Sequence, residues 1–419
     1  MDFVFRDQDL LQLRRLSRDS VHGGRIAWVC GCSGIGKSRL TEEFFKKEQG
    51  PLVRVRLKKF SSADDVIRCI MDAMRKDLGI RQTPGCLTIA QVFDYLLDIA
   101  RTTPVSVWID GADELSEVEK RFWSDFSHVW NEKADRTRSF FVFCLSNFRD
   151  NVFATFKNSE KFKLKPFSFH QIQQIVIETG KNRTPEEIVT LMALTGGVPK
   201  YLKTFVDQDA IGIEKAERLF KSPDSCFLLE GERLLRDTFF SSFGVYASIL
   251  RKISAGIGRR QDLQQHFHAN VGGYLSKLEH DFGLVLRLYP VKTEKMSKKC
   301  RWEVTDPFLD AWLSVLDGEE PLREYLKRRF PRIAAKWLRE TGLFEQVGPW
   351  WDESGKYTLP LVGRTQDEAT VFLPAMWGEM PRAADFDRAL HIFSEAAGIH
   401  PDRIRQKALS SQNLFSLNL

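Results

Sequence analysis

The sequence reads as an α/β protein whose N-terminal part is a mainly parallel sheet with helices on both faces. Apolar strand patterns alternate with helical patterns between residues 25 and 147. The octet Gly31-Cys32-Ser33-Gly34-Ile35-Gly36-Lys37-Ser38 fits GxxxxGKS and sits between a strand pattern and a helix pattern, the context that this spacing requires. Further on, an apolar run ends on the carboxylate of Asp110.

Residues 7–17 carry Leu10, Leu11, Leu13 and Leu16 on one side of a short helix that stops before Val21-His22-Gly23-Gly24. Residues 25–30 form a buried strand, and an amphipathic helix opens at Ser38. Residues 51–57 alternate with period two as a second strand, and residues 64–78 and 88–101 have helical periodicity. Residues 105–110 and 140–147 are a third and a fourth strand, each apolar and each ending in polar groups. Ligands of such sheets bind at the carboxyl ends of the strands, where Gly31, Asp110 and Asn147 fall.

The residue types at that end suit phosphate chemistry. Gly31, Gly34 and Gly36 let the backbone turn tightly enough for successive N–H groups and a helix N-terminus to converge on a phosphate. Ser33 and Ile35 within the loop, and Arg39 just past it, are counted with the groups around the nucleotide. Lys37 adds a point charge toward the terminal phosphates, and the Ser38 hydroxyl suits Mg²⁺, which takes oxygen ligands. A glycine-rich turn that happens to carry Lys-Ser is the plainer alternative, and the filled spacing argues against it. Asp110 would hold the same Mg²⁺ through water. Asp113 and Glu114, in Asp110-Gly111-Ala112-Asp113-Glu114-Leu115, offer carboxylates to orient an attacking water, with Asp113 preferred on spacing. Either one could instead cap the following helix, where acidic side chains are favoured. Asn147, or Ser146 beside it, could sense the terminal phosphate, and an ordinary strand-end polar residue is the equal alternative.

At 419 residues the chain exceeds what one core usually serves, so roughly two to four domains are expected. A hydrophobic content of 43% and a charged content of 28% are ordinary for a globular protein. The net charge of +6 permits nucleic-acid contact without arguing for it. No apolar run is long enough to span a bilayer and the N-terminus is too charged for a signal peptide, so a cytoplasmic protein without membrane association is expected. Seven cysteines without a CxxC pair fit reduced, mostly buried thiols better than a disulfide framework or a zinc site.

Three further stretches carry a family likeness. Phe3-Val4-Phe5-Arg6-Asp7-Gln8-Asp9-Leu10, Thr195-Gly196-Gly197-Val198-Pro199-Lys200-Tyr201-Leu202 and Asp306-Pro307-Phe308-Leu309-Asp310-Ala311-Trp312 resemble the FxxRExEL-like opening, the GGxPxYL motif and the DPFLxxW-like segment of the archaeal-type P-loop ATPases. That family, found also in bacteria, is placed in the STAND branch close to AAA+ proteins. The resemblance runs along nearly the whole chain. It implies a P-loop NTPase core with a parallel sheet over residues 1–165, a helical lid over 166–235, a winged-helix domain over 236–316, and a C-terminal α/β restriction-endonuclease-like domain over 317–419. It also implies ATP and Mg²⁺ as cofactors, Arg6 at the base and ribose, and Pro199 near the adenine, where AAA+ relatives carry an arginine sensor. The guanine-reading NKxD motif is absent after the fourth strand. The DGxDE form around Asp110 is closer to the NACHT group, which supports a switch-like ATPase. Arg149 is a candidate trans-acting arginine.

In the second half, residues 237–255, 261–267 and 271–280 read as three helices, followed by a hairpin of residues 284–288 and 301–305. The wing Lys292-Thr293-Glu294-Lys295-Met296-Ser297-Lys298-Lys299-Cys300-Arg301 is strongly basic, as a phosphate-contacting loop would be and as a solvated hairpin also would. The helix opening Asn270-Val271-Gly272-Gly273-Tyr274 offers few side chains to base edges, so a protein contact or nucleotide sensing is favoured over DNA. Residues 323–339 form a basic helix, read as a solvated face. Gly342-Leu343-Phe344-Glu345-Gln346-Val347-Gly348-Pro349-Trp350-Trp351 resembles the start of the nuclease-like domain, whose active versions continue with EID-like and ECK-like strands. Here Pro360 stands for the aspartate, and Pro374 and Met376 for the glutamate and lysine, so a pseudo-nuclease is expected. Asp352, Glu353, Glu368 and Glu379 are the nearby acids if the register differs. Pro360 and Pro374 should mark bulged or edge strands.

The expectation is an ATP-binding, slowly hydrolysing STAND-type ATPase acting as a nucleotide-dependent switch for a protein partner. An ATP-regulated DNA-binding regulator or defence component is the alternative, and an ATP-powered nuclease is the weakest reading.

Overall fold

The structure is a computed structural model that describes the chain apart from residues 1–4, 59–61, 82–83, 147–149, 179–182, 240–242, 292–299, 379, 381 and 417–419. The expectations for Phe3, Val4, Asn147, Arg149, Glu379 and residues 292–299 of the basic wing therefore lie outside the described residues. The chain divides into two units, Met1–Pro166 and Phe167–Leu419. Among the described residues no helix is long and apolar enough to cross a membrane.

The first unit runs α1 (Asp7–Asp19), β1 (Arg25–Cys30), α2 (Lys37–Phe45), β2 (Leu52–Arg56), α3 (Ala63–Leu78), α4 (Ile89–Ile99), β3 (Val105–Asp110), α5 (Asp113–Val118), α6 (Phe122–Lys133), β4 (Ser139–Leu145), α7 (Asp150–Phe153) and β5 (Ser159–Lys163). Its described strands form one sheet in the order β2-β3-β4-β1-β5, with every neighbouring pair parallel. Side chains alternate across a strand, so each apolar strand feeds two cores. Ile26 and Trp28 of β1 and Phe141 and Phe143 of β4 face a core with Phe93 of α4 and Phe126 and Trp130 of α6, in which Trp28 stacks on Phe143 at 5.0 Å. Ala27, Val29, Phe140, Val142 and Trp108 face the other, with Leu10 and Leu13 of α1 and Leu40 and Phe44 of α2. The edge strand β5 has no counterpart in the apolar patterns of the sequence. In its sequence Ser-Glu-Lys-Phe-Lys only Phe162 is buried, so no period-two signal exists, and charged residues are what protect a sheet edge.

The second unit begins with α8 (Phe169–Ile177), α9 (Pro185–Thr195), α10 (Pro199–Asp207), α11 (Ile213–Lys221), α12 (Cys226–Phe239), α13 (Phe243–Ser254), α14 (Arg260–Phe267) and α15 (Gly272–His280). An antiparallel hairpin of β6 (Val285–Leu288) and β7 (Arg301–Val304) follows, then α16 (Pro307–Ala311) and α17 (Leu322–Thr341). The expected single helix over 237–255 is instead parts of α12 and α13, and the expected boundary at 235/236 falls inside α12. Its apolar stripe continues upstream through Phe227, Leu234 and Leu235, which the shorter reading left out.

The chain closes with β8 (Phe344–Trp351), β9 (Thr358–Thr365), β10 (Thr370–Phe372), β11 (Ala375–Met376), α18 (Asp387–Ala397), β12 (Ile404–Gln406) and β13 (Leu409–Ser410). β12, β10, β9 and β8 form a sheet in that order, and β11 pairs with β13. The two prolines sit where a missing N–H does least harm. Pro360 lies opposite a register shift between Gly348 and Trp350, and Pro374 lies in the break between β10 and β11.

Two expectations are corrected here. The basic helix α17 is not a solvated face: Arg329 is buried on Asp310 at 2.5 Å, Arg328 pairs with Glu320, Arg332 donates to the Val304 carbonyl at 2.6 Å, and Lys336 to the Gly196 carbonyl at 3.2 Å. Arg329 lies on the buried stripe with Leu326, Phe330 and Ala334, and Arg328, Arg332 and Lys336 flank it, so packing that stripe takes these four inward, whereas Arg323, Lys327 and Arg339 on the remaining face are exposed. The cysteines are not mostly buried either. Cys30 and Cys144 are buried on central strands, Cys69, Cys86 and Cys300 are half-buried, and Cys32 and Cys226 are exposed. Burial pushes the Cys30 and Cys144 thiols up to about 12 from an ordinary 9.0.

Asp310 accepts from Arg329, from the Ser254 hydroxyl at 2.9 Å and from the Tyr325 hydroxyl at 3.2 Å. Asp310→Ala would strand the buried guanidinium and is expected to cost about 3–5 kcal/mol, read as a lower urea midpoint, with Asp310→Asn costing less. Because the buried Cys30 and Cys144 thiols stay protonated well above pH 9 in the fold, iodoacetamide at pH 8 should label the exposed Cys32 and Cys226 first. Cys30 and Cys144 should react only on unfolding, as peptide mass spectrometry would show.

Candidate functional site

Parallel register brings the carboxyl ends of four strands together. Cys30 lies beside Leu145, Asp110 beside Cys144, and Arg56 beside Asp110. Each strand then hands over to a polar segment at the same end of the sheet, as parallel connectivity requires.

The loop after β1 has Gly31, Gly34 and Gly36 at φ of 153°, 78° and 99°, so the backbone turns through conformations that side chains rarely adopt. Ile35 is fully buried beneath the loop and contributes its carbonyl to an Arg6 contact at 3.4 Å. Gly36 caps α2 without any side-chain oxygen, and no acidic residue occupies the first turn. The N–H groups of that turn therefore favour an anion. Lys37 Nζ lies back over the loop, donating to the Gly31 carbonyl at 2.7 Å, the Cys32 carbonyl at 3.1 Å and Ser146 Oγ at 3.4 Å. Ser33 and Arg39 are exposed beside it.

Ser38 Oγ donates to Asp110 Oδ1 at 2.9 Å, and Arg56 Nε lies 3.3 Å from Asp110 Oδ2. Gly111 follows at φ 81°, where a Cβ would stand 2.5 Å from the Leu57 carbonyl oxygen, so only glycine lets the chain leave β3 along this path. The turn returns Asp113 to the end of β4, where its Oδ2 accepts from the Ser146 N–H at 2.7 Å. Asp113 and Glu114 both lie in the first turn of α5, whose N-cap is Ala112 with no side-chain capping bond. Asp113 thus reaches across to a neighbouring strand rather than back to its own helix end.

Arg6 is packed between the Lys165 carbonyl at 2.8 Å and Asp9 at 3.7 Å, and burial lowers its pKa from the ordinary value. Pro199 belongs to the second unit. There it starts α10 after Gly196 and Gly197, both at positive φ, with the Gly197 carbonyl accepting from the Phe167 N–H at 2.8 Å, in a tight interhelical turn. Arg56 and the tie from Asp113 to the Ser146 backbone were missed in the sequence. The first had a signal, since Arg56 ends a period-two strand; the second depends on the Gly111 turn and had none.

The hydroxyl of Ser38 and the carboxylate of Asp110 are hard oxygen donors brought together at the head of α2, a donor set that fits Mg²⁺ rather than a soft metal. Lys37, the loop N–H groups and the α2 N-terminus fit the phosphates that such a cation accompanies.

Residues 19–153 match the family described as AAA domain. The solved structure of a Walker-type ATPase of Pyrococcus abyssi is similar over 74% of this chain and 96% of that one, at 15% identity and a TM-score of 0.51. Cdc6p of Pyrobaculum aerophilum is matched at 16% identity over 78% of this chain and 96% of that one, with a TM-score of 0.37. A STAND protein with a tetratricopeptide repeat sensor from Pyrococcus horikoshii is matched at 14% identity over 81% of this chain and 45% of that one, with a TM-score of 0.33. At such identities the first likeness speaks for the fold alone, and the other two are too loose to argue from. No curated protein matches the chain. The N-terminal unit is thus an α/β P-loop fold with an AAA-domain match, a class that carries nucleotide binding and hydrolysis.

Lys37→Ala removes the charge seated over the loop and leaves the sheet untouched. Loss of one charge-assisted hydrogen bond predicts a roughly 10- to 100-fold weaker affinity for a fluorescent ATP analogue, measured by titration, with an unchanged melting temperature.

Proposed function

We propose that the protein is an ATP-binding, slowly hydrolysing STAND-type ATPase that works as a nucleotide-dependent switch for a protein partner. The observation that supports this best is the convergence of Lys37, Ser38, Asp110 and Asp113 at one end of the sheet through bonds of 2.7–3.4 Å. When bound, Mg²⁺ would supply Lewis-acid polarisation of the phosphate oxygens. Around it, Lys37 and the loop amides bind and orient the phosphates, and Ser38 and Asp110 hold the cation. Asp113 positions a water with the carboxylate that also ties down Ser146, with Glu114 as the neighbouring candidate. In this reading Asn147 completes the terminal-phosphate contacts, and Arg6, Ser33, Arg39 and Pro199 border the nucleotide.

The domain assignment follows the same reading: a core over 1–165, a helical lid over 166–235, a winged helix over 236–316 and a pseudo-nuclease over 317–419. Three helices and a hairpin support the winged helix, and Pro360, Pro374 and Met376 at the expected acid and lysine positions support a domain kept for binding. The protein-partner reading gains from α17, whose Arg328, Arg329, Arg332 and Lys336 are engaged within the unit and are poorly placed for phosphates.

Asp113→Asn should retain affinity for the ATP analogue and lose roughly 10²- to 10⁴-fold in phosphate release, the range that a positioned acid–base group contributes. Glu114→Gln should lose less. Phosphate-release assays beside binding titrations separate the two, and equal losses in turnover for both would reject the Asp113 assignment. Retention on duplex DNA that falls steeply with salt would favour the DNA-regulator reading over the protein switch.

A further inference from the structure

Arg56 is a cation at the phosphate end of the sheet that lies outside GxxxxGKS. The β2–β3 register sets it beside Asp110, its Nε lies 3.3 Å from Asp110 Oδ2, and the Leu57 N–H donates to the Asp110 carbonyl at 2.8 Å, which fixes the two backbones at that point. The other carboxylate oxygen takes the Ser38 hydroxyl. Asp110 is therefore held from two sides, with Oδ1 aimed at α2 and Oδ2 at β2. Its side chain is 15% exposed, whereas that of Arg56 is 60% exposed, so the cation sits on the rim and packs into no core.

A carboxylate paired with a guanidinium presents little net charge to a second cation. A dication leaving water for Ser38 and Asp110 would gain one shielded carboxylate and meet a repelling charge a few ångströms further on. The negative charge that offsets this must come with the nucleotide phosphates. We infer that Arg56 is a positioning residue that keeps Asp110 aimed at Ser38 and makes metal capture by this pair conditional on a bound nucleoside triphosphate. The inference rests on the ATP-site reading above.

The test uses Mn²⁺ as the probe, titrated into the full chain by electron paramagnetic resonance, with and without a non-hydrolysable ATP analogue. Wild type should bind Mn²⁺ tightly only with the analogue. Arg56→Gln should raise the affinity for Mn²⁺ in the absence of nucleotide by about tenfold, the size expected for removing one partly screened charge, and so shrink the coupling between metal and nucleotide. Arg56→Lys, which keeps the charge, should behave as wild type, and adding Asp110→Asn to Arg56→Gln should abolish the gain. A purely structural role would alter the melting temperature and leave the Mn²⁺ coupling intact. The inference is overturned if Arg56→Gln leaves nucleotide-free Mn²⁺ affinity unchanged while wild type binds the analogue, or if Arg56→Lys raises it equally. If wild type does not bind the analogue at all, the ATP-site reading fails and this inference falls with it.

Discussion

The site depends on a sheet buried on both faces. Helices α1 and α2 cover one side and α3, α4 and α6 the other, so the faces of β1, β3 and β4 must be apolar and no chemistry can be placed there. Reactive groups are confined to the points where strands emerge. Because neighbouring strands are parallel, these points coincide, and a one-residue slip of β3 against β4 would carry Asp110 out of reach of Ser38. The 2.9 Å bond between those side chains is thus a product of core packing: Trp28 on Phe143 and Val107 beside Phe141 fix the register that the polar groups use.

A different economy governs the second unit. Its longest helix carries many cations, and much of that charge is spent inside. Arg329 with Asp310 is a buried pair bounded by Ser254 and Tyr325, and removing one partner of such a pair costs more than the pair adds over apolar packing. Lys336 donates to the Gly196 carbonyl in the turn that leads to Pro199, and burial lowers its pKa. The helix and the turn are therefore joined by a bond that either must break to move independently of the other.

The central strands of the first unit were legible because their apolar runs are uninterrupted and the phosphate loop announces where β1 ends. Residues 25–30 and 105–110 come out with the bounds read from the sequence. Legibility failed where burial and composition part company. β5 is a charged edge with one buried phenylalanine, and α17 looks solvated because its arginines are counted as surface when their partners, Asp310 and Glu320, lie outside the helix. In the site, the glycines, Lys37, Ser38 and Asp110 were legible from spacing. The link from Asp113 to Ser146 was not, because it crosses from one strand end to another through a turn that only the positive φ of Gly111 permits.

That link bears on how the site would work. One oxygen of Asp113 already serves the Ser146 N–H, and the Ser146 hydroxyl meets Lys37, so a candidate water-positioning group, a strand end and the phosphate-facing ammonium form one connected set. The bond from the Ser146 N–H holds one Asp113 oxygen at the end of β4 and leaves the other toward the loop end of the sheet. Lys37 and Asp113 thus meet at Ser146, so a substitution at either one disturbs the same strand end.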